Sequence, residues 1–128
     1  MTKTIKFTIK HEWIVPLTDN RARIGITDFA QQELGDIVYV ENAEVDDKVN
    51  AGDSLGVIES VKAASDFYAP ISGTIVKVNE SLEDEPEKIN SDPYEAGWLV
   101  EIEFTDPSEL EQLLDEAAYQ NLIAEGEE

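Results

Sequence analysis

A mostly β fold with minor α content, organised as a two-sheet β sandwich, is what the sequence predicts. Three observations carry that prediction: β-like apolar runs are short and frequent between Ile37 and Phe104, turns separate them, and helical spacing is confined to two segments. The helical segments lie near 28–34 and near 107–123. At 128 residues the chain can bury one hydrophobic core but is short for two, so residues 1–128 are expected to form a single domain.

Thr4–Ile9 alternates polar and apolar residues, and His11–Leu17 continues to a turn at Thr18-Asp19-Asn20, which predicts two short strands. Ala22–Ile26 reads as a third. Thr27 is an N-cap for a short helix from Asp28 to Leu34, with Phe29, Ala30, Glu33 and Leu34 at helical spacing and Gly35 as the stop. Strand-like runs follow at Ile37–Val40, Lys48-Val49, Ser54–Ile58, Phe67–Ala69, Gly73–Val78 and Trp98–Phe104. Asp106 then reads as an N-cap, Pro107 as the first helical position and Glu109 as the partner in a capping box. Leu110, Leu113, Leu114 and Ala117 share one face, predicting an amphipathic helix to about Ile123 and a frayed tail at Glu125–Glu128.

A loose internal repeat matters more than any one strand. Ile37–Ile58 runs strand, acidic turn, Val49-Asn50-Ala51-Gly52-Asp53, strand, and Gly73–Ile102 echoes it with a strand, an acidic turn and a returning strand. The segment holding Lys62 joins the halves, which predicts quasi-two-fold symmetry with Lys62 at the outer tip of a hairpin.

Composition removes several function classes. There is no cysteine and one histidine, His11, so disulfides, thiol catalysis, cysteine-rich zinc sites and most histidine-centred catalysis are excluded. The net charge of −20 repels nucleic acid and anionic membranes, so neither is an expected partner; a docking partner would be basic, although acidic residues also serve solubility alone. The N-terminal residues carry no apolar signal region and no apolar run reaches membrane-spanning length. A soluble protein is expected, cytoplasmic, or in the mitochondrial matrix if it is a processed eukaryotic chain.

Lys62 is the candidate functional residue. It is the one cation between Lys48 and Lys77 and is framed by the small residues Ser60, Val61, Ala63, Ala64 and Ser65, which leave its amine accessible to an acylating enzyme. An ordinary surface lysine in a turn is the alternative. His11 beside Trp13 reads as structural, Trp13 and Trp98 as core, and Glu80-Ser81-Leu82-Glu83-Asp84-Glu85 with Glu87 as a solvated turn, since it lacks the spacing of a calcium loop.

The chain resembles the H proteins of the glycine cleavage system, members of the lipoyl and biotinyl carrier superfamily. The residues that carry the resemblance are His11-Glu12-Trp13, Ile24-Gly25-Ile26-Thr27-Asp28, Ala30-Gln31, Leu34-Gly35-Asp36 and Glu59-Ser60-Val61-Lys62-Ala63-Ala64-Ser65-Asp66. Tyr68-Ala69-Pro70-Ile71-Ser72-Gly73, Val78-Asn79, Ile89-Asn90-Ser91, Pro93-Tyr94, Gly97-Trp98 and the Glu-Leu-rich end extend it over nearly the whole chain. The resemblance implies a lipoyl-domain-like barrel-sandwich hybrid with a core of about 22–104, and lipoate attached covalently to Lys62. It further implies a monomeric, non-catalytic carrier that binds no metal and makes and breaks no bond unaided.

In that family the arm carries an aminomethyl group from glycine decarboxylase (the P protein, with pyridoxal phosphate) to an aminomethyltransferase (the T protein, with tetrahydrofolate). A flavin-dependent dihydrolipoyl dehydrogenase (the L protein, with NAD) reoxidises it, and a lipoate ligase or lipoyl transferase installs it. Glu12 and Asp66 match family residues of the cleft that shields the loaded arm. Glu33 departs from a histidine found at its position in some members, which bears on the chemistry of that cleft. Biotin carriers usually frame the lysine with methionines, and the one methionine here is Met1; lipoyl domains of 2-oxoacid dehydrogenases lack the His-Glu-Trp start. An H-like lipoyl donor to other complexes, and a carboxylate-based metal enzyme using Glu80, Glu83 and Asp84, are the alternatives.

Overall fold

The computed structural model describes residues 5–17 and 20–124. The expected tail at 125–128, the first residue of the Thr4–Ile9 run and two residues of the Thr18-Asp19-Asn20 turn lie outside the described residues. The strands are β1 (Lys6–Phe7), β2 (Glu12–Pro16), β3 (Arg21–Ile26), β4 (Ile37–Glu41), β5 (Lys48–Val49), β6 (Ser54–Ser60), β7 (Ala64–Tyr68), β8 (Gly73–Val78) and β9 (Val100–Phe104). They form two antiparallel sheets. One has the order β1-β2-β3-β9-β8-β5 and the other β4-β6-β7.

Alternation along the strands explains how the sheets face each other. Ile24, Ile75, Val100 and Ile102 from the larger sheet and Val40, Leu55, Ile58 and Phe67 from the smaller one are buried in one cluster. The internal echo is real at the level of strand pairing. β4 pairs with β6 and β8 with β9, each antiparallel, and each pair has a register shift, at Ile37/Tyr39 and Ile75/Lys77. The second half differs where the acidic turn was expected. There the chain makes a 3-10 helix at Glu80–Glu83 and a second short helix at Lys88–Ser91, which seat Leu82 and Ile89 in the core.

The helix α1 (Asp28–Leu34) is capped as its sequence predicts. Thr27 Oγ1 accepts from Ala30 N–H at 3.2 Å, and Gly35 ends the helix at φ 81°, a left-handed conformation that suits glycine. With Lys88–Ser91 taken as α2, the C-terminal region holds α3 (Ser108–Glu111) and α4 (Glu116–Ala124). The single helix expected near 107–123 is therefore two. The break falls at Leu114, whose backbone exchanges both hydrogen bonds with Phe7 (2.8 and 2.9 Å), and a strand-type bridge cannot coexist with helical pairing there. The helix begins one residue later than expected, with Pro107 at the cap position and no side-chain capping bond; Asp106 Oδ1 accepts from Ser108 N–H at 3.1 Å, and Glu109 turns away from the capping box and accepts from Ser72 N–H (2.7 Å) and Oγ (3.1 Å).

Phe7, Trp13 and Tyr119 form a second buried cluster that fastens β1 and β2 to α4. Trp13 is core, as expected, and its Nε1 donates to the Pro93 carbonyl at 3.0 Å. Trp98 is only partly buried, with the Arg23 guanidinium 4.8 Å from its ring centre. Gly25 lies under the Trp13 ring: a Cβ there would sit 2.6 Å from Cε2. Because Trp13 is pinned by its hydrogen bond, Gly25→Ala is expected to destabilise the protein by about 1–3 kcal/mol. Urea denaturation checks this, and an unchanged midpoint would show that the ring can move aside.

Candidate functional site

β6 and β7 form a hairpin whose tip is Ser60-Val61-Lys62-Ala63. Ser60 makes the tip a fixed turn. Its N–H donates to the Ala63 carbonyl at 2.7 Å, and its Oγ accepts from the backbone N–H groups of Lys62 (3.2 Å) and Ala63 (3.1 Å). Val61 N–H donates to the Asp36 carbonyl at 3.0 Å and ties the tip to the corner between α1 and β4. Asn90 holds that corner in turn. Its Nδ2 donates to the Gly35 carbonyl (2.9 Å) and Gln31 Oε1 (2.8 Å), while its Oδ1 accepts from Ile37 N–H (2.8 Å). The Lys62 side chain is exposed, and no carboxylate among the described residues pairs with it.

A cleft of about 170 Å³ opens between α1, β2 and the β6–β7 hairpin, lined by Glu12, Phe29, Glu33 and Asp66 among others. Glu12, only 2% exposed, accepts from Thr8 Oγ1 at 2.9 Å and from the Tyr68 backbone N–H at 2.8 Å. Burial pushes its carboxyl up to about 7, against those two hydrogen bonds and the nearby Lys10 charge, which favour the ionised form. Asp66 and Glu33 line the same cleft from exposed positions. Lys10 stands at the rim with its ammonium 4.3 Å from the Tyr68 ring centre.

The structure thus brings Glu12, Asp66, Glu33 and His11 to one cleft, while Lys62 lies outside its lining. Lys62, in the turn, is four positions before Asp66 on β7, so their Cα atoms are at most about 13 Å apart. The acidic segment forms part of a separate, wider groove of about 720 Å³ with Glu41, Glu44, Glu80, Glu83 and Asp84. No group of three or more His, Asp or Glu side chains among the described residues is arranged to hold a metal ion. Sequence reasoning missed Thr8, which orients Glu12, and Tyr119, whose hydroxyl lies 2.7 Å from His11 Nδ1. The Thr8–Glu12 spacing across a tight turn was a readable signal for the first; the 108-residue separation of the second left none.

A mostly β sandwich that presents one lysine at a braced hairpin tip, beside a cleft with a buried carboxylate, defines a lysine-presenting β domain. The glycine cleavage H-protein family model matches residues 5–126. Glycine cleavage system H proteins are similar to the chain throughout: that of Vibrio campbellii is 52% identical, covering 98% of this chain and 99% of that protein. The one from Staphylococcus epidermidis is 55% identical over 94% of each. The crystal structure of a glycine cleavage system H protein from Mycobacterium marinum matches at a TM-score of 0.87 and 39% identity, covering 97% of this chain and 99% of that one. The chain belongs to the glycine cleavage H-protein family, whose members are carrier components of that system.

Glu12 gives the protein a measurable pH signature. Its folded-state value of about 7 lies above the ordinary 4.5, so between those values the folded chain binds the extra proton and stability falls as pH rises. The gap caps the effect at about 3 kcal/mol, at 1.36 kcal/mol per pH unit. Relative to Glu12→Gln, the wild type is expected to lose stability by up to that amount between pH 5 and pH 8. Parallel urea melts of the two proteins check the sign, and a difference that grows in the wild type's favour would contradict it.

Proposed function

We propose that this chain is the lipoyl carrier of a glycine cleavage system, with lipoate joined by an amide bond to Lys62. The observation that carries the reading is the presentation of Lys62, whose exposed side chain stands on a turn braced by Ser60 and Asp36 in a chain that matches the family along its length. A rigid tip suits an enzyme that must take the ε-amine into its own site and deprotonate it there. The residues fit the group: the amine is open to acylation, and the cleft lies within a hairpin's length of it.

Lipoate supplies a dithiol and disulfide pair that carries electrons and acts as a nucleophile when open. The chain's own residues hold and shield. Glu12 and Asp66 offer carboxylate acceptors in the cleft for a cationic amine on the arm, and the burial of Glu12 excludes water from that contact. On this reading residues 1–128 are one carrier domain with a lipoyl-type core of about 22–104, acting as a cytoplasmic monomer. The arm moves the aminomethyl group of glycine from glycine decarboxylase to the aminomethyltransferase, and dihydrolipoyl dehydrogenase reoxidises it. A lipoate ligase or lipoyl transferase installs it, and the chain catalyses no step itself.

Expression with lipoate and its ligase is expected to add one lipoyl-sized mass, mapped to Lys62 by peptide analysis. Lys62→Arg keeps the charge and the fold but cannot form the amide. It is expected to lose the added mass and to abolish glycine decarboxylation in a reconstituted system. A lipoyl group on another lysine, or turnover with the arginine variant as carrier, would overturn the assignment.

A further inference from the structure

Gly35, Asp36 and Ile37 form the corner between α1 and β4, and the Lys62 turn leans on it. The Asp36 carbonyl receives Val61 N–H at 3.0 Å, one residue before the lysine. A Cβ on Gly35 would stand 4.0 Å from Lys62 Cε, so the stem of the lysine lies back over the end of α1. Gly35 itself has φ 81° and ψ −157°, which glycine alone adopts without strain, so the corner has a shape that its neighbours must hold.

Asn90 on α2 holds this corner from behind, and its partners leave one orientation of its amide. Ile37 N–H can only donate, so the atom 2.8 Å from it is Oδ1; the Gly35 carbonyl can only accept, so the atom 2.9 Å from it is Nδ2. The second Nδ2 proton goes to Gln31 Oε1 at 2.8 Å, and Gln31 Nε2 donates in turn to Asp28 Oδ1 at 2.8 Å. The bonds thus run from the first turn of α1, through the buried Gln31, to the corner at its end, and a bond left unmade at a buried amide costs more than one at the surface. Aspartate at position 90 would keep the Ile37 bond and lose both donors; alanine would lose all three bonds.

We propose that Asn90 is a positioning residue for the lipoyl-lysine arm: by fixing Gly35 and Ile37 on either side of Asp36, it holds the Lys62 turn and the root of its side chain in one place against α1. The bonds stand whatever the lysine carries; their consequence for acylation rests on the carrier reading above. An enzyme that acylates Lys62 meets a turn already in the competent position. When the corner loosens, only a fraction of the molecules is competent at any moment, so apparent affinity falls by that fraction while turnover at saturation is kept.

Amide hydrogen exchange in the unlipoylated protein reads the corner directly. Corrected for intrinsic rates, the wild-type Val61 amide, bonded to the Asp36 carbonyl, is expected to be better protected than that of Lys62, which donates to the Ser60 hydroxyl. Asn90→Asp and Asn90→Ala are expected to speed exchange at Val61 about tenfold, and by more than at Ile102 in the larger sheet, which separates a loosened corner from a loss of global stability. In lipoylation by the ligase, the KM for these carriers is expected to rise several-fold with kcat unchanged. Gln31→Ala, which removes one of the bonds to Asn90, is expected to give a smaller rise. A wild-type Val61 amide no better protected than that of Lys62 overturns the proposal even if the Asn90 variants fail to fold. Unchanged exchange at Val61 in a folded Asn90→Ala protein, or a fall in kcat at constant KM, overturns it as well. Failure to lipoylate the wild type sinks the carrier reading and leaves the exchange result standing.

Discussion

The bond from Tyr68 N–H to the Glu12 carboxylate is the contact on which the cleft depends. β7 is the edge of the smaller sheet and β2 belongs to the larger one, so no backbone ladder joins them. An edge strand carries unpaired donors that must find partners. Here a buried side chain supplies the acceptor at 2.8 Å, and Thr8 completes it by donating to the other oxygen. The two sheets are thereby clasped at one corner by a carboxylate, and the cleft opens beside that clasp. Burial at this corner raises the titration of Glu12, and the bond from Tyr68 works against that rise.

A second constraint keeps the tip and the cleft in register. Asn90 satisfies the backbone at Gly35 and Ile37, and the carbonyl of Asp36 between them receives Val61 N–H. The tip that bears Lys62 and the helix that walls the cleft therefore hang from one corner. Val61, just before β7, bonds the corner that follows α1, and further along, Asp66 and Phe67 of β7 line one cleft with Phe29 and Glu33 of α1. With a net charge of −20, little attraction between surface groups is available to hold a loose hairpin in place. Directional backbone bonds do that work instead.

What could be read in advance follows from the range of the interactions involved. Strand alternation, the Thr27 cap and the Gly35 stop are local, and β2 to β6 and β8 fall close to where the sequence places them. Leu110, Leu113, Leu114 and Ala117 share a helical face in sequence, but Leu114 pairs with Phe7 more than a hundred residues away, and that long-range bridge splits the helix. The acidic turn after Val78 became helical because Leu82 and Ile89 had a core to fill, a demand set by the opposite sheet. Lys62 was legible because small flanking residues are a local signal. Glu12 and Asp66 came from resemblance alone, since nothing within a few residues of either one indicates that they face the same 170 Å³.

Solvent exposure changes along β7, from an open start beside the Lys62 turn to a buried end beside Glu12. At its start Ala64, Ser65 and Asp66 are exposed, and the preceding turn stands out with Val61 69% accessible. At its end Phe67 is 1% exposed and the Tyr68 N–H is clasped by a carboxylate that water barely reaches. Charge–charge contacts strengthen as water is excluded, so a cation would gain more from Glu12 than from the exposed Asp66, provided Glu12 is ionised when the cation arrives. With its value raised to about 7, Glu12 exists as both neutral and ionised forms near neutral pH, and a cation entering beside it would favour the ionised form. The exposed tip and the buried clasp thus lie at opposite ends of one strand.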